Sequence, residues 1–194
     1  MQKQAFRNEL LTRRMQVSTA TRDQLSLIAQ RMLVESEPFA DASCIALYCP
    51  TRGEVATDLL FNVALRQRKK VCYPRVNGER MAFIEVDDLG CLSSGSFGLL
   101  EPEGGREVPV AELDLMVLPG VAFDRYGYRL GYGKGFYDRE LHSAGFSGVL
   151  VGLCFGFQLL DRLPVERHDV PVDCLVTEQG FFFRSPLRGE GGSR

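Results

Sequence analysis

Apolar and polar positions along this chain follow two different periods, and the switches between them mark out its elements. Leu25, Ile28, Ala29, Met32 and Leu33 recur three and four apart, which places them on one stripe of a helix. Ser18 stands before that pattern as an N-cap, so residues 18–36 are predicted to form a helix with this stripe in the core. Residues 3–15 read as an earlier helix, polar and basic. The runs 44–49, 115–118 and 149–155 are continuously apolar and bounded by turn residues, the pattern of strands buried on both faces. Residues 71–73, 81–86, 175–177 and 181–183 are shorter strand candidates. Thr57 is placed to cap a helix reaching about residue 67, and a further helix is predicted over about 136–144. Residues 87–105 are rich in Gly and Ser and read as loop. Strands alternating with helices predict an α/β fold with a mainly parallel sheet covered on both faces. Ligands on such sheets sit at the carboxyl ends of the strands. Glu54 follows one predicted strand and a glycine-rich stretch follows another, so both are expected at the same edge.

Composition narrows the class. The 194 residues are 45% hydrophobic and 25% charged, as in an ordinary soluble globular protein. That length suits one domain, predicted over residues 1–184, with the polar tail 185–194 disordered. Lys and Arg number 23 and Asp and Glu 25, a net charge of −2, so no basic field invites nucleic acid. The cluster Arg66, Arg68, Lys69 and Lys70 fits a solvated helix end. Six cysteines lie mostly in apolar runs without a Cys-x-x-Cys pair, and His142 and His168 have no cysteine at zinc-ligand spacing. Reduced, buried thiols are therefore expected. The amino-terminal stretch is polar rather than signal-like, and no apolar run approaches the roughly 18 residues of a membrane span. A cytoplasmic protein with no membrane association is the expectation.

Candidate chemistry concentrates at residues 129–138, R-L-G-Y-G-K-G-F-Y-D. Gly131, Gly133 and Gly135 alternate, Arg129 and Lys134 bracket them, and Asp138 closes the run. Glycines let a ligand approach the backbone, and successive exposed N–H groups form an anion cradle. Arginine and lysine add charge suited to phosphate oxygens. Asp138 is a hard oxygen ligand of the kind Mg²⁺ takes beside substrate phosphates. Neither familiar phosphate loop fits. Tyr128 stands where the P-loop needs its first glycine and Gly135 where it needs Ser or Thr. Phe136 stands where the dinucleotide pattern needs its third glycine. By itself the run reads equally as a tight turn between strand and helix.

The longer segment 118–141, L-P-G-V-A-F-D-R-Y-G-Y-R-L-G-Y-G-K-G-F-Y-D-R-E-L, closely resembles the signature of the 5-formyltetrahydrofolate cyclo-ligase (methenyltetrahydrofolate synthetase) family, with Phe136 where Tyr is commoner. Further blocks follow the family's order: Lys3 and Arg7, G-E-V-A-T at 53–57, Glu101–Pro102, and L-P-V-E-R-H-D-V-P-V-D at 163–173 with Thr177 and Glu178. The resemblance implies a three-layer α/β/α fold, Rossmann-like and of the NagB/RpiA/CoA-transferase kind. It implies a monomer that cyclises 5-formyltetrahydrofolate to 5,10-methenyltetrahydrofolate with ATP and Mg²⁺. Its small-molecule partners would be the folate and ATP. Arg129 and Lys134 would carry the catalytic charge. Lys3, Arg7, Arg129, Leu130, Gly131, Tyr132, Gly133, Lys134, Gly135, Phe136 and Tyr137 would bind ATP. Glu54 and Cys49, with Tyr132 and Phe136, would bind the folate. Asp138 and Asp173 would hold the metal. Cys49 also reads as a strand-end thiol, and Phe136 as plain core. A non-catalytic binder of folate or nucleotide, an RNA-associated module and an enzyme for another formylated amine are the competing functions.

Overall fold

The structure, a computed structural model, describes residues 2–143 and 145–185. The tail expected to be disordered lies, beyond residue 185, outside the described residues. Helix α1 is Gln2–Gln16 and α2 is Thr19–Val34, capped by the Ser18 side chain on the Thr21 N–H. A short α3, Glu37–Asp41, leads into strand β1, Cys44–Ala46. Then come α4, Asp58–Arg66, and the hairpin strands β2, Lys70–Asn77, and β3, Arg80–Glu85. The Gly/Ser-rich stretch is not plain loop: it holds β4, Leu92–Ser94, and β5, Leu100–Pro102, paired with each other, before β6, Glu107–Val108. Strand β7, Leu115–Leu118, is followed by β8, Ala122–Asp124, β9, Arg129–Leu130, and helix α5, Phe136–Ser143. The chain ends with β10, Val149–Leu153, β11, Leu159–Leu160, β12, Cys174–Thr177, and β13, Gly180–Phe183.

Eight strands form the main sheet in the order β13-β12-β10-β7-β1-β2-β3-β6. The centre, from β12 to β2, is parallel, and β13, β3 and β6 are antiparallel additions at the edges. Side chains alternate across this sheet with the strand period of two. Ile45, Val117, Val151 and Val176 enter the core that α2, α3 and α4 cover. Ala46, Met116, Leu150 and Leu175 enter the opposite core, against α5. The predicted three-layer α/β arrangement is observed. Among the described residues no helix is long and apolar enough to cross a membrane.

Two local expectations need correction. In α2, Ala29 and Leu33 are fully buried, but Met32 is 40% exposed. The inner face instead includes Ser26 and Gln30, both buried. The reason lies in α4. Thr57 occupies its N-cap position without capping it. Gln30 Oε1 accepts the N–H groups of Leu59 and Leu60 at 2.8 and 3.3 Å, and Ser26 Oγ accepts the N–H of Ala56. A helix start buried against another helix takes its cap from that neighbour. The basic cluster after α4 is anchored as well as solvated, because Lys69 donates to the carbonyls of Ala40 and Ala42.

Candidate functional site

The glycine stretch is aimed by a hairpin too short to read from its pattern. Strands β8 and β9 reverse the chain around Gly127, at φ +86°. Only glycine fits there, since a Cβ would lie 2.3 Å from the carbonyl oxygen of Val172. The turn is built on the fully buried Asp124. Its Oδ1 accepts the N–H groups of Tyr126 and Tyr128, and Oδ2 accepts that of Leu163. The returning strand delivers residues 131–135 to the edge of the sheet and straight into α5. Gly133 and Gly135 have φ of +95° and +65°. The amides preceding a helix start, together with its dipole, favour an anion.

These residues line a cavity of about 390 Å³. Arg7, Cys49, Arg129, Gly131, Tyr132, Gly133, Lys134, Gly135, Phe136, Tyr137 and Asp138 all border it. Its lining also includes apolar side chains, Leu11 from α1, Pro74 and Val76 from β2, Met81 from β3, and Leu99 and Leu100 from the supposed loop. A cavity that combines a polar loop with apolar side chains suits a ligand that is both charged and flat. Arg7 bridges α1 to the loop, its Nε donating to the carbonyl of Gly131 at 2.8 Å. Lys134 is exposed on the rim. Phe136 and Tyr137 are half-buried; Arg139 lies over the Phe136 ring at 5.0 Å, and Tyr137 packs beside Phe83. Burial pushes the Tyr137 phenol up. Burial also pushes the Cys49 thiol up to about 12, with Glu101 and Cys91 adding to the effect. Cys49 is therefore a neutral wall contact and no nucleophile.

Other expected site residues fall elsewhere. Leu130 sits in the core, 3% exposed, beside Leu10 and Val121. Lys3 does not border the cavity: its Nζ pairs with Asp169 and Glu166, each at 3.1 Å. Arg129 is buried, bound to Asp138 at 2.7 Å and to the carbonyl of Val170 at 3.0 Å. Burial lowers its guanidinium below the usual arginine range and Asp138 opposes that, so Arg129 acts first as a buttress for the loop. The two presumed metal ligands have separate surroundings. Asp173 is exposed at the start of β12, where its carboxylate accepts the N–H of Leu150, and it does not border the cavity. Asp169 precedes Val170, whose N–H donates to Asp138 Oδ1 at 3.1 Å, but its own carboxylate accepts from Lys3 and the Glu166 N–H. Both Asp138 contacts fall on Oδ1, and Oδ2 keeps its lone pairs among the described residues.

Glu54 lies behind Tyr132, 8% exposed. The loop carrying it is braced by two buried bonds, Tyr48 hydroxyl to the carbonyl of Val55 and Thr57 hydroxyl to that of Tyr48. Glu54 Oε2 accepts the Thr51 N–H and Oε1 the Tyr132 hydroxyl, at 3.0 and 2.8 Å. Burial raises its carboxyl, while Arg14, Thr51 and Tyr132 pull it back. Arg14, absent from the sequence reading, is 1% exposed and stands 3.9 Å from Glu54. Its seven-residue offset from Arg7 places both on one face of α1, a signal the sequence did carry.

The comparisons with known proteins agree with one another. The sequence profile of the 5-formyltetrahydrofolate cyclo-ligase family matches residues 1–178. The 5-formyltetrahydrofolate cyclo-ligase of Haemophilus influenzae is 35% identical over 165 residues, covering 81% of this chain and 83% of its own. The solved 5,10-methenyltetrahydrofolate synthetase of Aquifex aeolicus superposes with a TM-score of 0.85 at 37% identity over the full length of both chains. That of Mycoplasma pneumoniae superposes at 0.76 and 27% identity, over 92% of this chain and 99% of the other.

Proposed function

Because the chain belongs to the 5-formyltetrahydrofolate cyclo-ligase family, we propose that this cavity closes 5-formyltetrahydrofolate to 5,10-methenyltetrahydrofolate at the expense of ATP. The carrying observation is the cavity lining, which joins the glycine loop, Arg7 and Lys134 with apolar side chains of α1, β2 and β3. An N-formyl group is an amide, and its oxygen is a poor leaving group. Phosphorylation solves that problem. The formyl oxygen attacks the γ-phosphorus and ADP departs. N10 of the same folate then bonds to the formyl carbon and loses its proton, and phosphate leaves with the former formyl oxygen. Both partners in ring closure belong to one molecule, so positioning suffices. Phosphoryl transfer needs alignment and charge neutralisation more than a protein nucleophile, and the neutral Cys49 thiol is consistent with that.

In this reading the amides of residues 131–135 cradle the phosphates, with Lys134 and Arg7 supplying charge. Phe136 and the apolar side chains take the flat rings. Glu54 accepts pterin N–H groups, because a carboxylate oxygen already taking one hydrogen bond has room for a second. Asp138, whose Oδ2 takes no contact among the described residues, would hold Mg²⁺; Mg²⁺ is commonly held by one or two carboxylates plus substrate phosphates. When bound, the ion would neutralise charge on the transferring phosphoryl group. Mixing purified protein with 5-formyltetrahydrofolate, Mg²⁺ and ATP is expected to give the near-ultraviolet band of the methenyl product with equimolar ADP. Tight binding of both ligands without product would favour the non-catalytic binder instead.

A further inference from the structure

Arg14 uses its guanidinium fully without touching the cavity. Nε donates to the carbonyl of Arg52 at 2.9 Å and Nη1 to that of Gly120 at 3.2 Å. Nη2 donates to the Tyr132 hydroxyl at 2.5 Å, and that hydroxyl donates to Glu54 Oε1 at 2.8 Å. A Tyr hydroxyl has one proton, so accepting from Arg14 commits it to giving that proton to Glu54. Tyr132 belongs to the glycine loop, Arg14 to α1 and Glu54 to the loop after β1. One largely buried chain of hydrogen bonds thus ties three segments that border the cavity.

We infer that Arg14 is a positioning residue for folate recognition, holding Tyr132 as a donor to Glu54 and keeping Glu54 a charged acceptor for the pterin. The folate role rests on the function proposed above. A lone carboxylate at this depth would favour its neutral form and lose acceptor strength. The groups facing it are few. Arg14 from α1 and Arg52 from its own loop are cationic, and Arg22 from α2 lies against neighbouring Gly53. Tyr132 and the Thr51 N–H donate, while Tyr48 and Tyr137 add only neutral phenols. Arg14 heads the influences that oppose burial at Glu54.

The test is the titration of the Glu54 carboxyl carbon by ¹³C NMR in the ligand-free protein, with Glu54→Gln identifying its resonance. Arg14→Met is expected to move the midpoint up by about one pH unit or more, a tenfold shift in the protonation equilibrium. Tyr132→Phe should move it the same way by less, and Arg14→Lys should return it toward wild type. The pH at which 5-formyltetrahydrofolate affinity collapses, followed by calorimetry, should move in parallel. A midpoint unchanged in both Arg14→Met and Tyr132→Phe overturns the inference, as does an affinity loss equal at every pH, which marks a merely structural role. Should Arg14→Met fail to fold, Tyr132→Phe decides alone, since it removes one hydroxyl. Shifted midpoints in a wild-type background that binds no 5-formyltetrahydrofolate would overturn the proposed function and leave the relay standing.

Discussion

Lys134 and Glu54 stand at opposite extremes of exposure, and substitutions there should separate the two ligands. Lys134 is exposed on the rim, so Lys134→Ala should leave stability within about 0.5 kcal/mol of wild type. It should raise the KM for ATP about tenfold or more, the worth of one charged contact to phosphate. Steady-state kinetics at limiting ATP decide it, and normal turnover there would remove Lys134 from the phosphate site. Glu54 presents the reverse case. Its carboxyl is raised by burial, with Arg14 foremost in opposing that, so its contribution to stability falls as pH rises through its folded value. Glu54→Gln should lose folate affinity far more than nucleotide affinity, and because it leaves buried Arg14 without its carboxylate partner it should melt lower than wild type at pH 7. Thermal melts and calorimetry with each ligand check this; equal losses for both ligands would make Glu54 structural.

Two elements rest on single polar side chains borrowed from elsewhere in the chain. Asp124 satisfies three N–H groups with no exposure. Asp124→Ala should cost roughly 3 kcal/mol, as expected when donors lose a buried charged acceptor, and denaturant melts should report it. Gln30→Ala should cost about 1–2 kcal/mol by uncapping α4, whereas Thr57→Ala should leave the cap intact and lose only the Tyr48 brace; amide exchange at Leu59 and Leu60 tells the two apart. These devices also explain what the sequence conceals. The runs 115–118 and 149–155 announced β7 and β10 because both faces of those strands are buried. Strands β8, β9 and β11 are two or three residues long, too short for a period to emerge. The burial of Gln30 has its reason on another helix, where it accepts the N–H groups of Leu59 and Leu60. The glycine loop and Asp138 were legible as local motifs. Arg14 was legible only as a residue on the Arg7 face of α1, since its partners Arg52, Gly120 and Tyr132 lie far away in sequence.

Across the whole molecule, the two-sided alternation of the central strands was legible and so was the shared edge for Glu54 and the glycine loop. The placement of α1 was not, because its basic, polar surface resembles a solvated helix until its partners are seen. Lys3 meets Asp169, Arg7 meets Gly131 and Arg14 meets Gly120, contacts separated by 166, 124 and 106 residues. Contacts of such long range form late, after the loops they close have been ordered. Within this sequence α1 precedes all of these partners. Without residues 120–131 Arg7 loses Gly131 and Arg14 loses Gly120, so the part of the cavity lining that α1 supplies is not anchored. A chain truncated before residue 120 should therefore have a protease-sensitive amino-terminal segment, which limited proteolysis checks. The cavity is thus a joint between segments far apart in the sequence, and it forms only when both have been made.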